Sequence, residues 1–257
     1  MLTSAALRAE GLTVRQSQHY LDLETQKSRE IDALCLVDDK LGVASLRLVV
    51  ECKSGHKPWL VFSSAHTLAG YNRLFALGVL SKSLRGALAD GILDLSARLK
   101  WFNKGGRVGY GVAQTFSEGD DPPFAAAMSA VKASLWQHAE NAGYQPPLLS
   151  AFPVVVVDTP LFECYLDDQG SIQLSEVSAI DYFFGARIGS FSGTCVRIVS
   201  AKSLPAYCRE AKAELAALLA FLEPAIKQHW DALKTRGVAR DRGTVEQPDE
   251  ADERGDG

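Results

Sequence analysis

Glu30-Ile-Asp-Ala-Leu-Cys-Leu-Val37 and Leu46-Arg-Leu-Val-Val-Glu-Cys-Lys53 are two apolar runs separated by Asp38-Asp-Lys-Leu-Gly42. The short polar cluster has the composition of a turn and the flanking runs that of strands, so the three predict an antiparallel hairpin. With the fold-back between Leu41 and Gly42, Asp32 stands across from Glu51, and Glu30 across from Lys53. Cross-strand partners on one face have Cβ atoms roughly 5 Å apart. Two carboxylates at that distance repel unless something neutralises them, and a divalent cation does so directly. Side chains alternate with period two, so Glu51 and Lys53 share a face. Two hard oxygen ligands beside one ammonium group suit Mg²⁺ or Mn²⁺ and the activation of a water against a phosphodiester. The bland alternative is the solvated face of an edge hairpin, with Lys53 balancing Glu51 or Glu30.

An Asp followed by Glu-x-Lys at the end of an apolar strand resembles the PD-(D/E)xK nuclease superfamily, also called restriction-endonuclease-like. The matching segments are Arg29-Glu-Ile-Asp32 and Val49-Val-Glu-Cys-Lys53, with no proline before Asp32. The resemblance covers roughly Ser4 to Trp59. It implies an α/β fold with a central mixed β-sheet flanked by helices, here a restriction-endonuclease-like core with additional strands and C-terminal helices. It also implies a Mg²⁺-dependent nuclease, with DNA as the expected substrate. Asp32, Glu51 and Lys53 would be the catalytic set. Asp32, Glu51 and the Cys52 backbone carbonyl would hold the metal. Glu10, at the end of the first helix, is the candidate for the acidic residue that the superfamily places ahead of the first strand. The alternative within the same fold is a catalytically silent protein used for binding or assembly, for instance in a defence or repair complex.

Hydrophobic residues make up 47% of the 257-residue chain and charged residues 23%, values that suit one large folded domain. No uninterrupted apolar stretch reaches the ~18 residues of a membrane span. The N-terminus lacks the pattern of a signal peptide. Five cysteines at scattered positions, with no CxxC spacing, argue against a disulfide framework or a zinc site. A reducing cytoplasm is the expected compartment. The net charge of −4 weighs against constitutive non-specific DNA binding. Much of that charge lies beyond residue 235, where seven acids face four arginines in a polar stretch expected to be a disordered tail. The body, residues 1–235, is then close to neutral.

Along the chain, the pattern predicts a helix over Thr3–Glu10 closed by Gly11 and a strand over Leu12–Leu21. After the hairpin come an extended Trp59–Ser63, helices over Ala65–Ser81 and Leu84–Trp101, and a glycine-rich strand over Gly105–Phe116. Asp120-Asp-Pro-Pro123 caps a helix whose apolar positions are Phe124, Met128, Val131 and Leu135. Phe152–Val157 reads as a buried strand. Leu161–Leu166 and Ser171–Leu174 form a second hairpin, and Tyr182–Ile188 and Cys195–Val199 are further strands. Leu204–Glu223 is helical, and Ala225–Lys234 resumes after Pro224.

Two further signals bear on nucleic acid. Lys82–Arg107 holds Lys82, Arg85, Arg98, Lys100, Lys104 and Arg107 against two aspartates, together with Trp101 and Phe102. Interleaved bases and aromatics suit a phosphate backbone with base stacking, although a solvated helix end with a packed Trp explains them equally. His56 and Lys57 follow the motif and could touch phosphate. The glycines of Gly106–Gly111 lack a strand-then-helix context and are assigned to close packing. Self-association through the leucine-rich Leu204–Leu222 is possible, with core packing the simpler use.

Overall fold

The computed structural model describes residues 2–235, except 72, 92–93, 96–97, 104–105, 117–120 and 140–143; the side chains of Arg73, Leu74, Phe102 and Asn103 are not described either. Helix α1 (Leu2–Ala9) ends where the sequence says it should. Gly11 adopts φ +78°, and the bonds Gly11 N–H to Arg8 C=O and Leu12 N–H to Leu7 C=O close the helix. β1 (Thr13–Leu21) turns through Asp22, whose carboxylate accepts the Glu24 and Thr25 N–H groups, into β2 (Ser28–Asp38). The next turn carries the chain into β3 (Ala44–Ser54). Asp39 organises it by accepting the Leu41 and Ala44 N–H groups at 2.6 Å each, and Gly42 supplies φ +70°. Leu34 pairs with Val49 and Leu36 with Arg47, the register expected from the sequence.

The strand over Phe152–Val157 is longer than its apolar run suggests. β7 (Leu148–Asp158) is buried along all but its last residue, because β3 pairs with it in parallel from Ala44–Leu148 to Ser54–Asp158 and β11 (Thr194–Ser200) flanks its other side. The remaining strands are β4 (Trp59–Ser64), β5 (Val79–Leu80), β6 (Val108–Gln114), β8 (Leu161–Leu166), β9 (Ile172–Glu176) and β10 (Ala179–Phe184). All eleven form one mixed sheet in the order β1-β2-β3-β7-β11-β10-β6-β4-β8-β9, with β5 pairing on β7.

The helices are α2 (Arg73–Ala76), α3 (Lys82–Ala89), α4 (Lys100–Asn103), α5 (Pro122–Trp136), α6 (Leu204–Phe221) and α7 (Glu223–Thr235). On one face, α1, α3 and α6 cover the β1-β2-β3-β7-β11 half through Leu7, Leu84, Leu88, Leu215 and Leu218. On the other face α5 lies across β3, β7 and β6. No helix among the described residues is long and apolar enough to cross a membrane.

Three expectations are corrected. Ala65–Ser81 is not one helix: Gly70 takes φ +82°, and Gly78 passes so close to the Phe152 ring that a Cβ would lie 2.8 Å from it, after which Val79 and Leu80 pair with β7. Nor is Leu84–Trp101 continuous, since α3 stops at Ala89 and Gly91 packs against Phe221. Finally, α5 buries its apolar stripe only in part: Val131 is fully buried and Met128 and Leu135 are half-buried against the core, while alanines make up most of the buried face. It turns Ala126, Ala127, Ala130 and Ala133 into the protein together with Val131, and leaves Phe124 exposed. Small side chains let this helix approach the sheet closely, and proximity outweighed side-chain size. The acidic segment 236–257 lies outside the described residues.

Candidate active site

β2 and β3 stay paired only as far as Ala33–Val50. On the outer side of β2, the flanking pairs with β1 are Gln16–Ala33 and Gln18–Ile31, and Ser17, between them, has φ +50°. Asp32 therefore sits at a break in the ladders on both of its sides. Its carboxylate replaces the missing β2–β3 contact: Oδ2 accepts the Cys52 backbone N–H at 2.7 Å. In an antiparallel arrangement a residue turns its N–H and C=O toward the same neighbour, so the Cys52 carbonyl faces this gap too. The Cys52 side chain lies on the α1 side, as expected, with Sγ 3.3 Å from Thr3 Oγ1.

Glu51 occupies the opposite face, with its side chain 13% exposed. Its Oε1 accepts a hydrogen bond from Lys53 Nζ at 2.7 Å. Lys53 thus pairs with its own-strand neighbour and not with Glu30 across the hairpin. Burial pushes the Glu51 carboxyl above its usual range; Lys53 opposes the shift, and the nearby Asp32 and Glu30 carboxylates add to it. Asp32 is exposed, and the Lys53 side chain is 37% exposed, so the end of the hairpin is open to solvent. One oxygen of each carboxylate is committed to a donor, which leaves Asp32 Oδ1 and Glu51 Oε2 as candidate ligands. Among the described residues no group of three or more His, Cys, Asp or Glu side chains is gathered as a metal cage. Two carboxylates still fit Mg²⁺, which keeps several waters and takes further oxygens from a phosphate substrate.

Around this centre the structure adds residues the sequence reading passed over. Tyr20 is 2% exposed, and its hydroxyl has no hydrogen-bond partner in normal geometry. Burial raises its pKa, and the Glu51 carboxylate acts in the same direction. Asp22, fully buried, bonds Lys132 at 3.0 Å and Arg29 at 3.2 Å. Burial alone would raise the Asp22 carboxyl, but Lys132 and the Thr25 and Glu24 N–H groups outweigh it and hold it well below the carboxylate range. Lys132 also pairs with Glu24 at 2.8 Å. The signal for Lys132 was present: it is the one charged residue of α5.

The other expected site residues do not converge here. Glu10 pairs with Arg209 at 3.4 Å, on the sheet face opposite Glu51, and its carbonyl accepts from Lys212. α1 reaches Cys52 through Thr3, and its rise of 1.5 Å per residue puts Glu10 about 10 Å further on. His56 and Lys57 are exposed beyond β3, where Lys57 donates to the Phe116 carbonyl. The basic segment does not become one patch. Trp101 is buried edge-on to Phe152 and stacked on Tyr207, and its indole N–H bonds Glu210, so it offers no face to a base. Arg98 pairs with Asp94. Arg107 makes two bonds to Glu163 and lies 3.3 Å over the Tyr165 ring on β8, five strands from the β7 on which α3 packs, or roughly 24 Å at ordinary strand spacing. Lys100 remains exposed, and Lys104 lies outside the described residues.

A cleft of about 400 Å³ lies elsewhere, at the turn end of the hairpin, between Leu34, Leu36 and Arg47 and the C-terminus of α5 at Trp136 and Gln137. Arg47 donates there to the Gln137 side-chain carbonyl at 2.8 Å and thereby holds the end of the helix. Asp32 and Glu51 do not line this cleft; they lie at the other end of β2 and β3. Compared with protein-family models, curated proteins and solved structures, the chain matches none.

Proposed function

We propose that this protein is a metal-dependent phosphodiesterase with a PD-(D/E)xK-type site, acting on nucleic acid and most simply on DNA. The observation that carries the reading is the break at Asp32. There Asp32 bonds the Cys52 N–H, and Glu51 and Lys53, paired with each other, lie at the same end of the hairpin. Asp32, Glu51 and the Cys52 carbonyl would hold Mg²⁺ or Mn²⁺. When bound, the cation supplies an activated water and neutralises phosphate charge. Lys53, positioned by Glu51, places positive charge beside the phosphoryl oxygens, where charge builds up in the transition state. The antiparallel β1-β2-β3 meander joined in parallel to β7, with helices on both faces, supports a restriction-endonuclease-like core.

A second reading has one observation in its favour. With Glu51 bonded to Lys53 and Asp32 to Cys52, the site is internally satisfied, as a catalytically silent fold used for binding or assembly would be. Incubation of the purified protein with linear, circular and single-stranded DNA and with RNA, in Mg²⁺, Mn²⁺ or EDTA, separates the two. The nuclease reading expects cleavage only with metal, lowered at least ~100-fold by Asp32→Ala or Glu51→Ala. Cleavage that survives in Glu51→Ala would place the chemistry elsewhere, and binding without cleavage in any metal would favour the silent fold.

A further inference from the structure

Beyond β10 the sheet outruns its helices. On one face of β6, β4 and β8, Trp59, Val61 and Leu161 are at most 2% exposed, packed into the cluster that the α5 alanines complete. The opposite face of the same strands, extended by β9, has no helix on it among the described residues. Register fixes its composition. Leu60 stands beside Phe162, and Phe62 beside Cys164, which stands in turn beside Leu174. Leu166 pairs with Ile172 at the outer end. Tyr110, at the irregularity between β4 and β6, lies 6.5 Å from the Phe62 ring.

Leu166, Ile172, Leu174 and Tyr110 are 61–75% exposed. Those four residues alone leave on the order of 500 Å² of mainly apolar surface in water, already as much as the largest patch of a typical monomer. With the partly buried Leu60, Phe62 and Phe162 added, the face approaches the ~800 Å² per partner of a standard interface. Its one charged residue by register is Glu176, at the margin and ion-paired with Lys202. The face therefore offers no charge pattern for a different partner to match, and an apolar sheet surface of this area can pack on its own copy as two sheets do in a sandwich.

We infer that this face is covered by a second copy of the chain, two sheets packing face to face about a two-fold axis. Each copy then presents the same patch to the other, and the two apolar layers form a sheet-on-sheet core about 10 Å thick. The inference is independent of the nuclease reading, since the face lies at the opposite end of the sheet from Asp32 and Glu51.

Sedimentation equilibrium of the full chain between 1 and 100 µM tests it. The expected species is twice the monomer mass. Leu174→Glu and Ile172→Glu should each raise the dissociation constant at least 100-fold, while circular dichroism and melting temperature stay those of the parent. Leu23→Glu, an exposed apolar position near the other sheet edge, should leave the dimer intact. Should Leu174→Glu fail to fold, Leu174→Gln is read in its place, with a rise of at least 10-fold expected. A monomer throughout the range, or a dimer indifferent to Leu174 and Ile172, overturns the proposal. So does equal dissociation by Leu23→Glu.

Discussion

Glu51 is held at a protonation equilibrium that folding itself disturbs. Burial raises its pKa above the ordinary 4.5, so the native state holds this proton more tightly than the unfolded chain does. Stability then falls as pH rises from the unfolded value through the folded one, and the whole penalty is present above both. Glu51→Gln should melt with the parent at pH values below 4.5 and at a higher temperature near pH 8. Mg²⁺ should raise the melting temperature of the parent and not that of the variant. A Gln variant that melts lower at pH 8 would show that the Lys53 pair outweighs the burial. Asp22 has the opposite sign. Its carboxyl is depressed, so its contribution is complete above about pH 4 and drains away as pH falls toward the folded value. Asp22→Ala strands Lys132, 14% exposed, with Glu24 alone and should lose about 3 kcal/mol in urea melts at pH 7. The loss should shrink in melts below pH 4.

At the scale of elements, the hairpin was legible because a turn with Asp and Gly between two apolar runs admits few registers. The register around Leu36 and Arg47 is the one read from the sequence. The break at Asp32 was not legible, since nothing in the composition marks Ser17 for a left-handed conformation. Helix α5 lies where the sequence puts it, with Asp121 capping the Phe124 N–H, and its buried face holds Val131 from the expected stripe together with four alanines outside it. Large side chains mark the stripe in the sequence, while the alanines give the close approach to the sheet. The segment between Ala65 and Ser81 has a helical period that Gly70 and Gly78 override. In the same way, Arg107 leaves the basic residues near it in sequence because it serves Glu163 on β8. Of the glycines assigned to close packing, Gly109 is tightly packed and Gly111 is in ordinary contact with Phe62, whereas Gly106 has open space around it. A Cβ on Gly109 would meet Val61 Cγ1 at 2.4 Å, with Tyr182 on the other side. Gly109→Ala should therefore cost about 1–3 kcal/mol, measured as a lower urea midpoint at unchanged slope. A variant as stable as the parent would mean that β4 and β10 can separate freely there.

For the molecule as a whole, one sheet carries every strand among the described residues, and β7 links its halves. The core under α1 and α6 uses Val154 and Val156, while the core under α5 uses Val155 and Val157. Neither can melt without exposing the other side of the same strand. Calorimetric and van't Hoff enthalpies of unfolding should accordingly agree; a calorimetric excess would reveal two units. The parallel junction of β3 with β7 has a different consequence, one that falls on the chain as it is made. Ala44 pairs with Leu148, so the ribosome must add about a hundred residues after β3 before its partner exists, several seconds at ordinary elongation rates. Through that interval Leu46, Leu48 and Val50 have β2 on one side but no strand on the other, and the newborn hairpin presents an open, sticky edge. The three-stranded N-terminal piece is thus the part of this protein that most needs a chaperone's shelter, and a pause in translation before Leu148 would prolong the need.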